Sequence, residues 1–238
     1  MRSIPLIYAA RHMFIDLPEG RWLVDTGSPA TFGTPGCITW GGRRREVPRD
    51  LNAFGMGMMN IGMGQIQPHV GIPIVGILGV DLLNEFDTCW DGPAGLMHLS
   101  PSEPPGDVLT IPMESPTVAM GVPLIEVRMG ACDVICVLDT GAQYGYVLDE
   151  RLVEGGEPQP RISDFNPILG AIDSPSWRVE LDLGGGVKVI ERVGLLGGMA
   201  RMALGMIGVE AVIGCSWLSP FRVWYRPSTM EISLQRGS

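Results

Sequence analysis

Two tripeptides stand out for what their side chains could do together. Asp25-Thr26-Gly27 sits in the run from Trp22 to Ser28, and Asp139-Thr140-Gly141 sits in the run from Cys136 to Ala142. A lone carboxylate after a strand is an ordinary turn residue. Two carboxylates brought into contact behave differently. Like charges at that range cannot both ionise cheaply, so one proton is shared. Such a pair can take a proton from a water as it attacks an electrophile, while the protonated partner polarises the electrophile's oxygen. Neither a metal nor a covalent intermediate is needed. The pair titrates as a unit, so acid and base are not divided here between Asp25 and Asp139.

Other chemistries find less support. His12, His69 and His98 are scattered, and no His-Glu-x-x-His or Cys-x-x-Cys spacing occurs, so no metal site is expected. The stretch Gly214-Cys215-Ser216 lacks the second glycine of a nucleophile elbow. Gly184-Gly185-Gly186 lacks the Lys-Ser/Thr of a phosphate loop and reads as a turn. The five cysteines, Cys37, Cys89, Cys132, Cys136 and Cys215, are odd in number. A reducing compartment therefore fits better than a disulfide framework. They read as buried small hydrophobes, although Cys132 and Cys136 could face one another across a hairpin.

The elements that must position the two aspartates occur twice, in the same order. Each Asp-Thr-Gly closes a strand-turn-strand unit, His12–Leu17 with Arg21–Val24 and Val122–Val127 with Val134–Leu138. Downstream, Ile77-Leu78-Gly79 matches Val212-Ile213-Gly214. A glycine-turn hairpin, Trp177–Leu183 with Val187–Ile190, matches Cys37–Trp40 with Arg43–Val47. Each half then ends in a closing hairpin, and the entries Ile4-Pro5-Leu6 and Ile111-Pro112-Met113 also match. Ordered recurrence of several elements implies an internal duplication. Only short helices are expected, at Asp81–Glu85, Ser216–Ser219 and Met199–Met206.

Composition agrees. The 238 residues are 45% apolar and 18% charged, enough for a core and unlike a disordered chain. With 33 glycines and 20 prolines, the chain is punctuated like a set of short strands. A net charge of -9 argues against a nucleic-acid partner. The longest uncharged apolar run, Val70–Val80, is too short to span a bilayer, so no membrane partner is expected. The first residues lack a signal-peptide pattern, and a cytoplasmic location is the expectation.

The paired Asp-Thr-Gly segments, each with its downstream apolar-apolar-Gly, resemble the aspartic peptidases. The closing strands look like those of retropepsins, and the single-chain duplication is similar to that of pepsins. The resemblance implies an all-β, two-lobed, pseudo-twofold acid protease fold with few short helices. An N-terminal lobe over 1–100, a linker over 101–107 and a C-terminal lobe over 108–238 follow from it. It further implies an aspartic endopeptidase with an apolar cleft for extended peptides and Asp25 and Asp139 as catalytic residues. Thr26, Gly27, Ser28, Thr140, Gly141 and Ala142 would support them. No cofactor is implied, the partner is a peptide or protein substrate, and the chain is expected to be a monomer. The alternative is a catalytically silent peptide-binding module with the same fold.

Two asymmetries refine this. Ser28 follows the first Asp-Thr-Gly and Ala142 the second. A hydroxyl there could hydrogen-bond the first carboxylate, leaving Asp25 with more of the negative charge. The matched turn glycine comes 16 residues after Asp25 at Gly41, but 46 residues after Asp139 at Gly185. In the family a hairpin flap occupies this region. A single flap from the second lobe is therefore expected, with Ile168, Leu169, Gly170, Ala171 and Ile172 at its turn. A first-lobe flap around Leu51–Gly64 is the competing possibility, in a stretch (Met56–Met63) that reads as an adaptable apolar wall.

Overall fold

The computed structural model describes residues 2–52, 60–115, 119–166 and 170–237. Regular structure in it is mostly β, with α-helices at Met63–Val70, Val80–Leu83 and Gly198–Met206 and a 3-10 turn at Glu150–Val153.

The two Asp-Thr-Gly units are built alike. His12–Leu17 pairs antiparallel with Gly20–Val24, with Phe14 opposite Leu23. Leu124–Met129 pairs antiparallel with Cys132–Leu138, with Leu124 opposite Val137. The second strand of each unit then runs parallel to the apolar-apolar-Gly strand. Val24 lies beside Leu78, and Leu138 lies beside Ile213. That strand's other edge takes the short strand after the Asp-Thr-Gly turn, through Phe32 on Ile77 and Tyr146 on Val212. A parallel pair needs a long crossover. In both halves the crossover carries the hairpins and the longer helix.

The halves are joined by six antiparallel strands. Their order is Arg2–Ala9, Leu96–Leu99, Thr88–Asp91, Phe221–Arg226, Glu231–Arg236 and Leu109–Glu114. The central seam sets Thr88 opposite Tyr225 and Asp91 opposite Arg222. Buried Asp91 accepts a 2.7 Å bond from Arg222 Nε, and Trp90 stacks on Tyr225 at 5.1 Å. Ile4 and Ile111 occupy equivalent positions, against Met97 and Ile232.

Strand alternation sorts side chains into one shared core and two flanking ones. Trp22, Val24, Leu78, Leu138, Ile213 and Trp90 belong to the shared core. Phe14, Leu23, Phe32 and Ile77 form the first flanking cluster with Ile66 of a helix. Leu124, Val137, Tyr146 and Val212, their counterparts, form the second with Ile162.

Several local expectations change. The helix over Met63–Val70 is unexpected, because Gly64 and Pro68 lie inside it. It holds because Gln65 Oε1 accepts the Gly62 N–H at 3.0 Å and because Met63, Ile66 and Val70 are buried. Ser216–Ser219 forms turns rather than a helix. Cys132 and Cys136 lie on one strand, opposite Met129 and Ile125, so they do not face each other across the hairpin. Cys132 is exposed and the other four cysteines are buried. No helix among the described residues is long and apolar enough to cross a membrane.

Candidate active site

Each aspartate stands where a buried strand stops. Val24 and Leu138, just before them, are wholly buried. The Asp25 N–H donates to Leu78 O at 3.0 Å, and the Asp139 N–H donates to Ile213 O at 2.9 Å. Ser28 N–H returns to Asp25 O, and Ala142 N–H to Asp139 O, closing a tight turn in each half. The downstream glycines lie directly beneath these turns. A Cβ on Gly79 would come within 2.6 Å of Ala30, and one on Gly214 within 2.8 Å of Ala142 O.

The threonines lock the two turns together. Thr26 N–H donates to Thr140 Oγ1 and Thr140 N–H to Thr26 Oγ1, both at 3.0 Å. Each hydroxyl donates onward into the opposite half, Thr26 Oγ1 to Leu138 O at 2.5 Å and Thr140 Oγ1 to Val24 O at 2.7 Å. Both threonines are fully buried. Both hydroxyls and both N–H groups of the pair are used, as burial demands.

This lock sets each carboxyl against the other half's glycine. A Cβ on Gly27 would lie 2.3 Å from Asp139 Cγ, and one on Gly141 would lie 2.3 Å from Asp25 Cγ. Only residues without a side chain permit that approach. The two carboxyls lie close enough to act on each other. Burial, and then the charge of Asp139, push Asp25 well above the ordinary carboxylate range. Burial also raises Asp139, but the Gly141 N–H (2.9 Å to Oδ1) and the bond from Asp25 oppose the rise. Both carboxyls are thus held above the ordinary range, and the pair shares one proton. The Ser28 hydroxyl has no part in this: it donates to Ala30 O at 2.8 Å. The bond expected from this hydroxyl to the first carboxylate is not made.

Of the residues expected to form a flap, Ile168 and Leu169 lie outside the described residues. Gly170, Ala171 and Ile172 begin the returning arm of a long hairpin, Glu157–Asn166 against Gly170–Asp182, with Asn166 opposite Gly170. The first half also has a hairpin at the competing position, Asp50–Asn52 against Asn60–Gly62, whose connection lies outside the described residues.

Sequence reasoning missed a polar group around the second turn. Tyr146 donates to Asp164 Oδ2 of the long hairpin at 2.6 Å. Asp164 is close enough to act electrostatically on Asp139 and on His12. His12 is buried beside the Gly141 carbonyl, and that burial pushes it down to about 4. Glu191 is wholly buried and pushed up to about 7 by burial, against the pull of the Ser216 hydroxyl. The guanidiniums of Arg11 and Arg192 each lie over the Tyr144 ring, 5.0 Å from its centroid. None of these residues carries a motif, and their spacing in the chain exceeds any local pattern. Among the described residues, no three His, Cys, Asp or Glu side chains gather as a metal site would require.

No family model and no curated protein matches the chain by sequence. Among solved structures, the aspartic proteinase from Irpex lacteus is similar, with a TM-score of 0.54 at 12% identity. The match covers 100% of this chain and 97% of that one. The likeness is one of fold: a mostly β chain arranged like an aspartic protease.

Proposed function

We propose that this protein is an aspartic peptidase in which Asp25 and Asp139 activate one water for attack on a peptide bond. The observation that carries the reading is the mutual packing of the two Asp-Thr-Gly turns. Each glycine backs the other half's carboxyl, and each threonine bonds the other half's backbone. A merely structural pair of turns has no need to bury two acids in contact, which is costly.

The mechanism follows from the shared proton. Asp139, whose Oδ1 accepts the Gly141 N–H, takes a proton from the water as its oxygen bonds to the amide carbon. Asp25 gives its proton to the carbonyl oxygen, so the tetrahedral intermediate is a neutral gem-diol. Asp139 then protonates the leaving nitrogen, the C–N bond breaks, and a hydroxyl proton returns to Asp25. The pair ends in its starting protonation state. Rate should peak where the pair holds one proton and fall on both sides.

Residues 1–100 and 108–238 would be the two lobes, joined by 101–107, with the substrate extended between them. The hairpin Glu157–Asp182 would act as the flap and exclude water when it closes. Thr26, Gly27, Thr140 and Gly141 would hold the pair, and Ser28 and Ala142 would close the turns. The test is cleavage of a diverse peptide mixture from acidic to neutral pH, with wild type beside Asp25→Asn. Cleavage by wild type alone is expected. Equal cleavage by both proteins would sink the reading.

A further inference from the structure

The long hairpin does not hang free over the paired turns. Phe165, near its end, stacks on His69, with ring centroids 4.1 Å apart and planes 10° from parallel. His69 belongs to the first half, in the helix Met63–Val70. Below this stack, Gln143 of the second half donates from Nε2 to the His69 carbonyl at 3.0 Å. The first-half helix is thus held both by the hairpin and by the segment after Asp139. Arg192 braces the same end: it lies over Tyr144, next to Gln143, and donates to Ser176 Oγ at 3.1 Å and to Pro160 O at the hairpin base.

We propose that this bridge closes one end of the substrate cleft, so that the protein cleaves peptides only near a free carboxyl terminus. The inference rests on the peptidase reading above. Gln143 is four residues beyond Asp139. Four residues of chain span at most about 14 Å. An extended peptide advances about 3.3 Å per residue, so no more than about four substrate residues fit between the reacting bond and the bridge. A longer segment on that side would have to pass through the contacts of His69, Phe165 and Gln143.

Charge selects the terminus. Arg11 is exposed, lies over the Tyr144 ring and takes part in no ion pair among the described residues. Of the nearby acids, Glu191 is buried, and burial keeps it protonated in acid, while Asp164 accepts the Tyr146 hydroxyl. A guanidinium beside a closed end suits a carboxylate, and would repel an ammonium.

The test uses peptides of twelve or more residues, each made as the free acid and as the amide, with cleavage sites mapped by mass spectrometry. Wild type should cut within about four residues of the free carboxyl end, and amidation should slow it about tenfold. Arg11→Ala should erase the difference between acid and amide. His69→Ala and Phe165→Ala should each let cuts spread inward, and two variants guard against one that fails to fold. Wild-type cuts spread along the chain, gathered near the amino end, or indifferent to amidation would overturn the proposal while leaving the peptidase reading intact. No cleavage beyond that of Asp25→Asn would remove both.

Discussion

The two halves place the same turn on the same support but fill the space behind it with opposite chemistry. In the first half Thr31 donates to Asp81 Oδ1 at 2.6 Å and accepts the Gly79 N–H at 3.0 Å. The hydroxyl comes from the strand side and the acid from the short helix. In the second half the position of Thr31 is Gly145 and that of Asp81 is Ser216. Here Ser216 supplies the hydroxyl, and the acid arrives from a distant strand as Glu191, 3.1 Å from Ser216 Oγ. Glycine at 145 makes this possible, since a Cβ there would lie 3.2 Å from Glu191 Cγ. Asp81 is exposed, whereas Glu191 is wholly buried. The comparison teaches that the duplication preserves a hydrogen bond's place without preserving which element brings which partner. Only the second half turns that bond into a buried, titrating acid.

The most severe test of likeness between the halves is at the aspartates. Asp25→Asn and Asp139→Asn should each lower peptide hydrolysis by about 10³-fold or more, since both members of the pair handle a proton. A large loss from one and a small loss from the other, in kcat/KM, would break the equivalence.

The lock comes next. Thr26→Val and Thr140→Val each strip a buried hydroxyl that donates and accepts across the halves. Each should cost about 3 kcal/mol in urea unfolding, because a backbone N–H and a carbonyl are left unpaired. Costs differing by more than about 1.5 kcal/mol would show that the two grips are not equal.

Glu191 sharpens the contrast. Its carboxyl binds a proton more tightly folded than unfolded, so its stabilising contribution is whole below pH 4.5 and is lost as pH climbs to about 7. That limb amounts to about 3 kcal/mol. His12 runs the other way: held neutral when folded, it supports the fold above pH 6.5 and loses that support as pH falls toward about 4. The two slopes oppose each other in wild type. Glu191→Gln should therefore make stability rise more steeply with pH between 5 and 7 than in wild type. An unchanged slope in urea melts across that range would remove Glu191 from the account.

The smallest effect is expected at the hairpin's anchor. Phe32 and Tyr146 hold equivalent strand positions, but only the tyrosine has a hydroxyl to bind the long hairpin, through Asp164. Tyr146→Phe should cost about 1 kcal/mol and raise hydrogen exchange in Glu157–Asn166 without altering the first half. Exchange unchanged in that hairpin would mean the bond does not hold it.

The parts legible in the sequence were those whose cause is local. Alternating apolar residues around tight turns announced the hairpins, and the two glycines at 41–42 and the three at 184–186 adopt the left-handed backbone that their turns require. The repeated Asp-Thr-Gly and apolar-apolar-Gly triplets announced the support of both turns, because burying a strand end beneath a turn demands small and apolar residues at fixed spacing. The Met63–Val70 helix was hidden because tertiary burial of three side chains outweighs poor intrinsic propensity.

By itself, then, the sequence determined a duplicated β chain carrying two matched aspartates on matched turns. Tertiary structure alone decided that the two carboxyls meet in a buried place, that Ser28 turns away from them, that Glu191 fills the space left by Gly145, and that Phe165 rests on His69. Each of these joins residues from separate elements. Their energies depend on burial and on distances across the fold, which no local pattern of residue types encodes.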